Sequence, residues 1–341
     1  MKVDVTNHED TVAKMKGYNI VMDGTTIKLN GLSTRCIADA GCHGVNLNGF
    51  GEENESHSKF VQHGTTCLPG FGMTPGVTQM MAMYAANQLD TVESVRVSHG
   101  SYRPIAFSAS ITETTTYEYD PHLPTRTVYE EDEFKQVPPF ARPREIELPA
   151  PYGKTMQYII PHSETITLAK ALEDKGVQLI ETRGTWPEQN MQLVRALYDY
   201  GILRNDQIEI NGKEIGIMDC ISKYLLKSKE GQATELYGYA LHVEVVGMKN
   251  NQKQRHVLYH THPLSDGSVV GWEKLRAYTR NVGIPFGIAT ELIAKGVVNK
   301  VGVITPEEAF ENPQIIFDEL EKRGIYIHEE IFTEKENYNF V

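Results

Sequence analysis

The sequence has no CxxC pair. Its four cysteines, Cys36, Cys42, Cys67 and Cys220, fit reduced thiols in a cytoplasmic protein better than a disulfide frame or a zinc site. No apolar run reaches the roughly 18 residues that a membrane span needs. The opening stretch, "MKVDVTNHEDTVAKMKG", lacks a long apolar core and a small-residue cleavage site, so no signal peptide is expected there. Positive charge is in deficit: 33 Lys and Arg against 45 Asp and Glu leave a net charge of −12. Such a surface repels phosphate backbones, so nucleic acid is not an expected partner. Internal repeats and low-complexity segments are also missing. What remains is 341 residues of ordinary globular composition, 40% hydrophobic and 23% charged, enough for two domains or one large one.

The first ninety residues alternate strand and helix signals. "KVDVT" reads as a β-branched strand, and "NHEDTVAKMKG" as a helix with Asn7 as cap and Gly17 as stop. "YNIVMDG" has the continuous apolar pattern of a strand buried on both faces. The alternation continues through "NGLSTRCIADAG" (helix), "CHGVNLNG" (strand), "EENESHSKFVQHG" (helix) and "TTCLPG" (strand) to the helix "GVTQMMAMYAANQLD". Short loops between alternating elements predict a doubly wound parallel sheet. Beyond Asp90 the texture changes. "TVESVRVSHGSYRP" is a strand, and the Pro- and charge-rich stretch from Thr112 to Gly153 predicts irregular structure with some extended segments. "TMQYIIPHSE" and "VQLIETRGTW" read as strands, "TITLAKALEDKG" and "EQNMQLVRALYDYG" as helices. Two β-rich runs around the polar turn at residues 249–252 predict a hairpin. In the tail, Thr305 caps a helix with Pro306 in its first turn and Glu308 three residues on.

Four segments, spread in order over nearly the whole chain, carry a resemblance. "DAGCHGVNLNG" resembles the "AAGxHYVDL" segment of the saccharopine dehydrogenase family, and "LPGFGMTPGVTQMMA" resembles its "G(A/C)GxxPGLSNxLA" segment. "TRGTWPEQNMQLVRALYDYGIL" and "TRNVGIPFGIATELIAKGVVNKVGVITPEEAF" are similar to two later segments of that family. The lysine 6-dehydrogenase and saccharopine dehydrogenase-like oxidoreductases look most similar. The resemblance implies hydride transfer between NAD or NADP and the nitrogen-bearing carbon of an amino acid. Members of the family begin with a strand–GxGxxG–helix unit that cradles the pyrophosphate. No such unit stands anywhere in this sequence, whose opening matches the third strand of the family's fold. Either that segment is missing from this chain, or the cofactor is not bound in the family's way.

The resemblance also selects residues. Asp23, Gly24, Thr25 and Thr26 follow a strand at the sheet's carboxyl end, where ligands of open α/β sheets lie, and would contact the cofactor unless they form a plain turn. Gly70, Phe71, Gly72, Met73, Thr74, Pro75 and Gly76 would floor the nicotinamide, with Thr74 and Pro75 starting the next helix. This stretch lacks the Lys-Ser/Thr pair of a phosphate loop, so a phosphate cradle is not expected. Structural glycines are the alternative. In "PYGKTMQYIIPHSETITL", Tyr152, Lys154, His162, Ser163 and Glu164 mix proton carriers with hydrogen-bond donors. An amine dehydrogenase needs a base for the ammonium proton, so His162 or Lys154 would be catalytic, with Tyr152, Ser163 and Glu164 beside the substrate. The alternative has His162 and Ser163 only capping a helix. Arg183, with Trp186, would hold a substrate carboxylate in its fork unless Glu181 occupies it. His99, Tyr102 and Arg103 could line the same cleft. His260 and His262 share a strand face without a third ligand at fixed spacing, so no metal is expected. His43 and Asn46 stand where the family shows His and Asp, and Asn46 cannot ionise.

The expected fold is α/β: an incomplete Rossmann-type parallel-sheet domain over residues 1–90, rejoined by residues 305–341, plus an α+β domain with a mostly antiparallel sheet over residues 91–304. The expected function is an NAD(P)-dependent amino-acid dehydrogenase, a homodimer by the resemblance. The alternative is a truncated, non-catalytic dimeric homologue, or a chain completed by a separate cofactor-binding segment.

Overall fold

A computed structural model describes residues 2–49, 51–204 and 206–334. Strands Ile20–Asp23, His43–Asn46, Thr66–Leu68 and Gly302–Val303 form a parallel sheet in that spatial order. Helices Ile27–Ala40 and His57–His63 connect the first three, and each stops at a left-handed glycine, Gly41 (φ 72°) and Gly64 (φ 67°). The strand Ile20–Asp23 is not buried on both faces as its apolar run predicts. It is the sheet's edge, and Met22 is 47% exposed. Nor is "KVDVT" a strand. The Asp4 carbonyl there accepts from the Asn7 amide and the Thr11 hydroxyl, so the stretch turns directly into helix His8–Met15, capped by the Asn7 side chain.

The second, larger sheet runs in the order Tyr326–Thr333, Gln252–Thr261, Gly238–Lys249, Thr91–Tyr102, Leu179–Thr185, Thr127–Glu130, Glu133–Gln136. Only the pairing of Thr91–Tyr102 with Leu179–Thr185 is parallel among these neighbours. The hairpin turns on Asn250 and Asn251, both at positive φ (49° and 63°), as a two-residue type I′ loop requires. Arg144–Leu148 pairs with Gly153–Ile159, which joins the far end of Leu179–Thr185.

Two segments differ from the sequence reading. The supposedly irregular stretch includes the helix Ala109–Tyr117, capped by the Ser108 hydroxyl. Its threonines return their hydroxyls to the preceding turn (Thr112 to the Ser108 carbonyl at 2.9 Å, Thr115 to Ile111 at 2.9 Å), which satisfies groups that otherwise favour a loop. The tail also divides. Gly302–Val303 extends the parallel sheet, whereas Tyr326–Thr333 pairs with Gln252–Thr261 on the large sheet, because its β-branched and aromatic alternation suits a sheet edge.

One face of the large sheet carries the main core. Val95, Val97, Leu241, Val243, Val245 and Leu258 pack there against helices Val77–Gln88 and Leu275–Ala294 in the main core. Each such side chain contributes roughly 1.5–3 kcal/mol. Strand residues alternate in direction, so His99 shares this inner face with Val97, while Arg96 and Tyr102 point to the outer one. That alternation decides which candidate residues can meet.

Candidate functional site

The helix Glu164–Ala171 lies on the inner face, where the Thr165 hydroxyl bonds that of Thr182 at 3.1 Å. At its start, Glu164 is fully buried and accepts from two hydroxyls, Thr74 at 2.6 Å and Thr78 at 2.9 Å. Its second oxygen lies 3.3 Å from Nδ1 of His162. On the other side of the imidazole, Nε2 stands 4.0 Å from Glu118. His99 stacks on His162 at 5.4 Å and on Tyr239 at 5.8 Å, and Tyr239 stacks on Tyr278 at 5.4 Å. Gly184 makes room for this stack: a Cβ there would come within 2.7 Å of the His99 ring. Further along the helix, Gln79 donates to the Thr167 hydroxyl at 3.0 Å, and Thr167 donates to Glu307 at 2.7 Å. A row of polar contacts thus bolts the Glu164 helix to the loop and helix that follow the parallel sheet.

Burial sets the protonation of this cluster, and its charges then redistribute it. Desolvation alone would lower the pKa of His162, but the charge and hydrogen bond of Glu164, with Glu118, hold it above its ordinary value. Desolvation opposes ionisation of Glu164, yet His162 and the Thr74 hydroxyl bring it to about 2. Glu118 lacks such support, and burial pushes it up to about 7 against the pull of His162, Arg103 and Arg126. Burial and the neighbouring His162 charge lower His99 to about 3, so its ring is neutral. The cluster therefore holds an ion pair, a neutral imidazole and a carboxyl that titrates near neutrality.

The glycine loop after Thr66–Leu68 backs this cluster. The amides of Gly70 and Phe71 go to the Asn46 side chain and carbonyl, that of Gly72 to the Pro75 carbonyl, and that of Gly76 to the Gln79 side chain. With these amides committed, the loop is no phosphate cradle. Thr74 does not cap the following helix as the sequence implied. Gly76 holds that position at φ 118°, and the Thr74 hydroxyl turns to Glu164. A Cβ on Gly76 would lie 2.5 Å from the Gly72 carbonyl oxygen. Gly76→Ala combines that clash with backbone strain, and the expected loss is about 3 kcal/mol, read as a lower urea midpoint at unchanged slope.

A family model for the saccharopine dehydrogenase C-terminal domain matches residues 72–325. The chain belongs to the saccharopine dehydrogenase family. Its fold is similar to that of the apo saccharopine dehydrogenase (L-Glu forming) of Saccharomyces cerevisiae, with a TM-score of 0.67 at 14% identity over 97% of this chain and 89% of that one. It is also similar to the homospermidine synthase of Legionella pneumophila in complex with NAD, with a TM-score of 0.63 at 12% identity over 100% of this chain and 82% of that one. The likeness places this family member's loops and helices, and the side chains decide the rest.

A nicotinamide cofactor would need open space and polar atoms at the parallel sheet's carboxyl edge, and residues 23–26 provide both. A Cβ on Gly24 would meet nothing within 4 Å. The buried Asp23 carboxylate accepts from the Thr25 amide at 2.9 Å, while its Oδ2 and the Thr25 hydroxyl have no hydrogen-bond partner among the described residues. Burial raises the Asp23 pKa. Thr26 starts the next helix without a side-chain cap. Gly70 and Gly49 approach each other closely, and Ser163 lies beside them: a Cβ on Gly49 would be 3.0 Å from the Gly70 Cα and 3.4 Å from the Ser163 hydroxyl. Phe71 and Met73, by contrast, are core residues, with Phe71 edge-on to Phe310 at 5.1 Å. Asn46 knits these loops by donating to Glu53 at 3.2 Å and accepting from Asn48 and Gly70. A carboxylate at position 46 would face Glu53, which accounts for the amide there.

Other expected site residues lie elsewhere. Arg183 is not in a loop. It sits inside Leu179–Thr185 on the outer face, where its fork is taken by Glu181 at 3.0 and 2.9 Å and by the Arg142 carbonyl. It is therefore not free to hold a substrate carboxylate. Lys154 is 64% exposed and 3.4 Å from Glu145. Tyr152 stacks on Tyr102 and bonds the His262 ring at 3.0 Å. Trp186 packs into the satellite core with Tyr119 and Phe140. Tyr152, Lys154 and Trp186 line an open cleft of about 1210 Å³ on the outer side, reached by Tyr102 and Thr185 rather than by His99. His43 accepts the Thr66 amide, and His260 accepts the Leu241 amide. Among the described residues, no group of three His, Cys, Asp or Glu could hold a metal, and no helix is long and apolar enough to cross a membrane.

Glu118 was missed by sequence reasoning. It follows a threonine-rich helix in a stretch with no periodic signal. The only hint is an isolated acid between two tyrosines, "YEY".

Proposed function

We propose that this chain is an NAD(P)-dependent oxidoreductase acting on the carbon–nitrogen bond of an amino acid. The observation that carries this reading is the buried His162, held between Glu164 and Glu118 directly behind the glycine loop. Membership of the saccharopine dehydrogenase family supports it. Asp23, Gly24 and Thr25, with Gly70 and Gly49, would hold the nicotinamide half of the cofactor, which supplies hydride transfer at the ring's C4 position. Oxidation of an amine-bearing carbon first requires the nitrogen to lose its ammonium proton. Glu118, titrating near neutrality, takes that proton. Glu164 fixes the His162 ring through Nδ1, which leaves Nε2 to carry a proton on the Glu118 side. Burial excludes water from both groups and strengthens their interaction.

Titration with NADH and with NADPH, followed by cofactor fluorescence, tests the reading. A saturable change with one of them is expected below millimolar concentration. No saturable change at millimolar cofactor overturns the reading for this chain. It would favour the alternative of a binding or scaffold homologue that has no cofactor site of its own.

A further inference from the structure

In and beside the His162 cluster, Nε of Arg103 and of Arg126, Oε2 of Glu118 and of Glu164, and Nδ1 of His99 are buried without a hydrogen-bond partner among the described residues. Buried polar groups are nearly always satisfied, so a concentration of unsatisfied ones in one region calls for an explanation. Arg103 is the most telling. It is 3% exposed, yet its guanidinium is held only by neutral acceptors, the Thr115 hydroxyl at 2.8 Å and the Pro104 carbonyl at 3.3 Å. Arg183 gives its fork to Glu181, whereas Arg126 resembles Arg103: its Nε is also unpaired and its Nη2 meets the carbonyls of Glu118 and Asp120 at 2.7 and 3.0 Å, which tie it to the backbone behind Glu118. Arg103 lies over Tyr278 at 5.6 Å, the far end of the ring stack that begins at His162, and Asn190 pins its backbone carbonyl at 3.2 Å. Its charge acts on Glu118, as that of Arg126 does, and also on His99, which Arg126 does not affect.

The geometry points to Arg103 and Glu118 as a paired reader of an α-amino-acid zwitterion, Arg103 taking the α-carboxylate and Glu118 the ammonium group, with the substrate's remaining chain unspecified. A guanidinium with a free Nε–H offers a carboxylate a fork that no neutral donor matches. An acceptor and a cation around one imidazole complement the two ends of a zwitterion, whereas a diamine would leave Arg103 unsatisfied and repelled. A site built to bond a group discriminates strongly against analogues that lack it. This inference deepens the proposed function, and it moves the carboxylate-binding role from Arg183 to Arg103.

The test is isothermal calorimetry of the full chain, with and without saturating NADH, using L-lysine and L-ornithine against cadaverine and putrescine, which lack only the α-carboxylate. The wild type should bind the amino acids at least tenfold more tightly than the diamines. Arg103→Gln should erase that difference and Arg103→Lys should restore part of it. Glu118→Gln should weaken both classes, and NADH fluorescence should be unchanged in Arg103→Gln. Circular dichroism melting identifies a variant that fails to fold, in which case the wild-type preference and the Lys variant decide. Equal or tighter binding of the diamines, discrimination that survives in Arg103→Gln, or binding of neither class overturns the inference. Loss of NADH binding in the wild type counts against the oxidoreductase reading alone, because amino-acid binding is measured separately.

Discussion

Glu164→Leu will cost the protein about 3–5 kcal/mol, the penalty for removing one partner of a buried ion pair. The substitution leaves His162 without its counter-ion and strands the hydroxyls of Thr74 and Thr78, all in a region that water does not reach. Urea unfolding with a lowered midpoint and an unchanged slope is the expected readout. Glu164→Gln keeps the shape and one acceptor, so it should lose less stability while still lowering the His162 pKa. The pH dependence follows from the same pairing. The folded pKa of Glu164, about 2, lies below its ordinary value of 4.5, so its contribution is present above that value and is lost as pH falls toward 2. His162 is raised above 6.5, so its contribution is complete below that value and disappears as pH rises through its folded pKa. Glu118 acts in the opposite sense to Glu164. With a folded pKa of about 7, the native state holds an extra proton, and stability declines as pH rises from about 4.5 to 7. His99, brought to about 3, adds stability over much of the same interval as pH rises. The Glu118 contribution is therefore read as the difference between the wild-type profile and that of Glu118→Gln. A difference that does not change between about pH 4.5 and 7 would contradict this arrangement.

His162→Gln will reduce kcat/KM for amino-acid oxidation by about 100- to 10,000-fold, the usual worth of a positioned proton carrier, while leaving NADH binding intact. The pH–rate profile separates its role from that of Glu118. Glu118 must be ionised to accept a proton, so the wild-type rate of oxidation should climb with pH up to about 7 and then level. His162, Arg103, Arg126 and Glu164 all act on that titration. In Glu118→Gln the limb near pH 7 should vanish along with most of the rate. In His162→Gln it should move upward, because the nearest cation that favours the Glu118 carboxylate is gone. A profile identical to wild type in both variants would remove the cluster from the chemistry.

Much of the fold was legible because it rests on local rules. Thr305 and Glu308 do form a reciprocal capping box, Asn7 caps its helix, and the two-residue turn at Asn250 and Asn251 sets the hairpin register. Parallel strands announced themselves by apolar runs between helices. Errors arose where a local pattern has two outcomes. "KVDVT" is β-branched but stands just ahead of a helix, and its Asp4 carbonyl bonds into the start of that helix instead of joining a sheet. The Ala109–Tyr117 helix was hidden because threonine disfavours helices unless its hydroxyl returns to the preceding turn. In the site, His162 and Glu164 were visible as a polar cluster before a helix. Arg183 misled because period-two alternation from Glu181 sets both on the outer face, and that face is decided by strand pairing far away in sequence. Glu118 meets His162, and the Arg103 charge reaches Glu118 and His99, only through tertiary packing, and no spacing encodes that.

The row of contacts from Thr74 and Thr78 to Glu164, and from Gln79 through Thr167 to Glu307, has a mechanical consequence. It joins the helix of one sheet to the loop and helix of the other by short charged and neutral hydrogen bonds that cannot stretch by an ångström without breaking. Opening along this seam would break all four contacts together, so the seam resists a clamshell motion. The opposite flank, where Glu118 is carried by a short helix and a turn, lies outside this row of contacts.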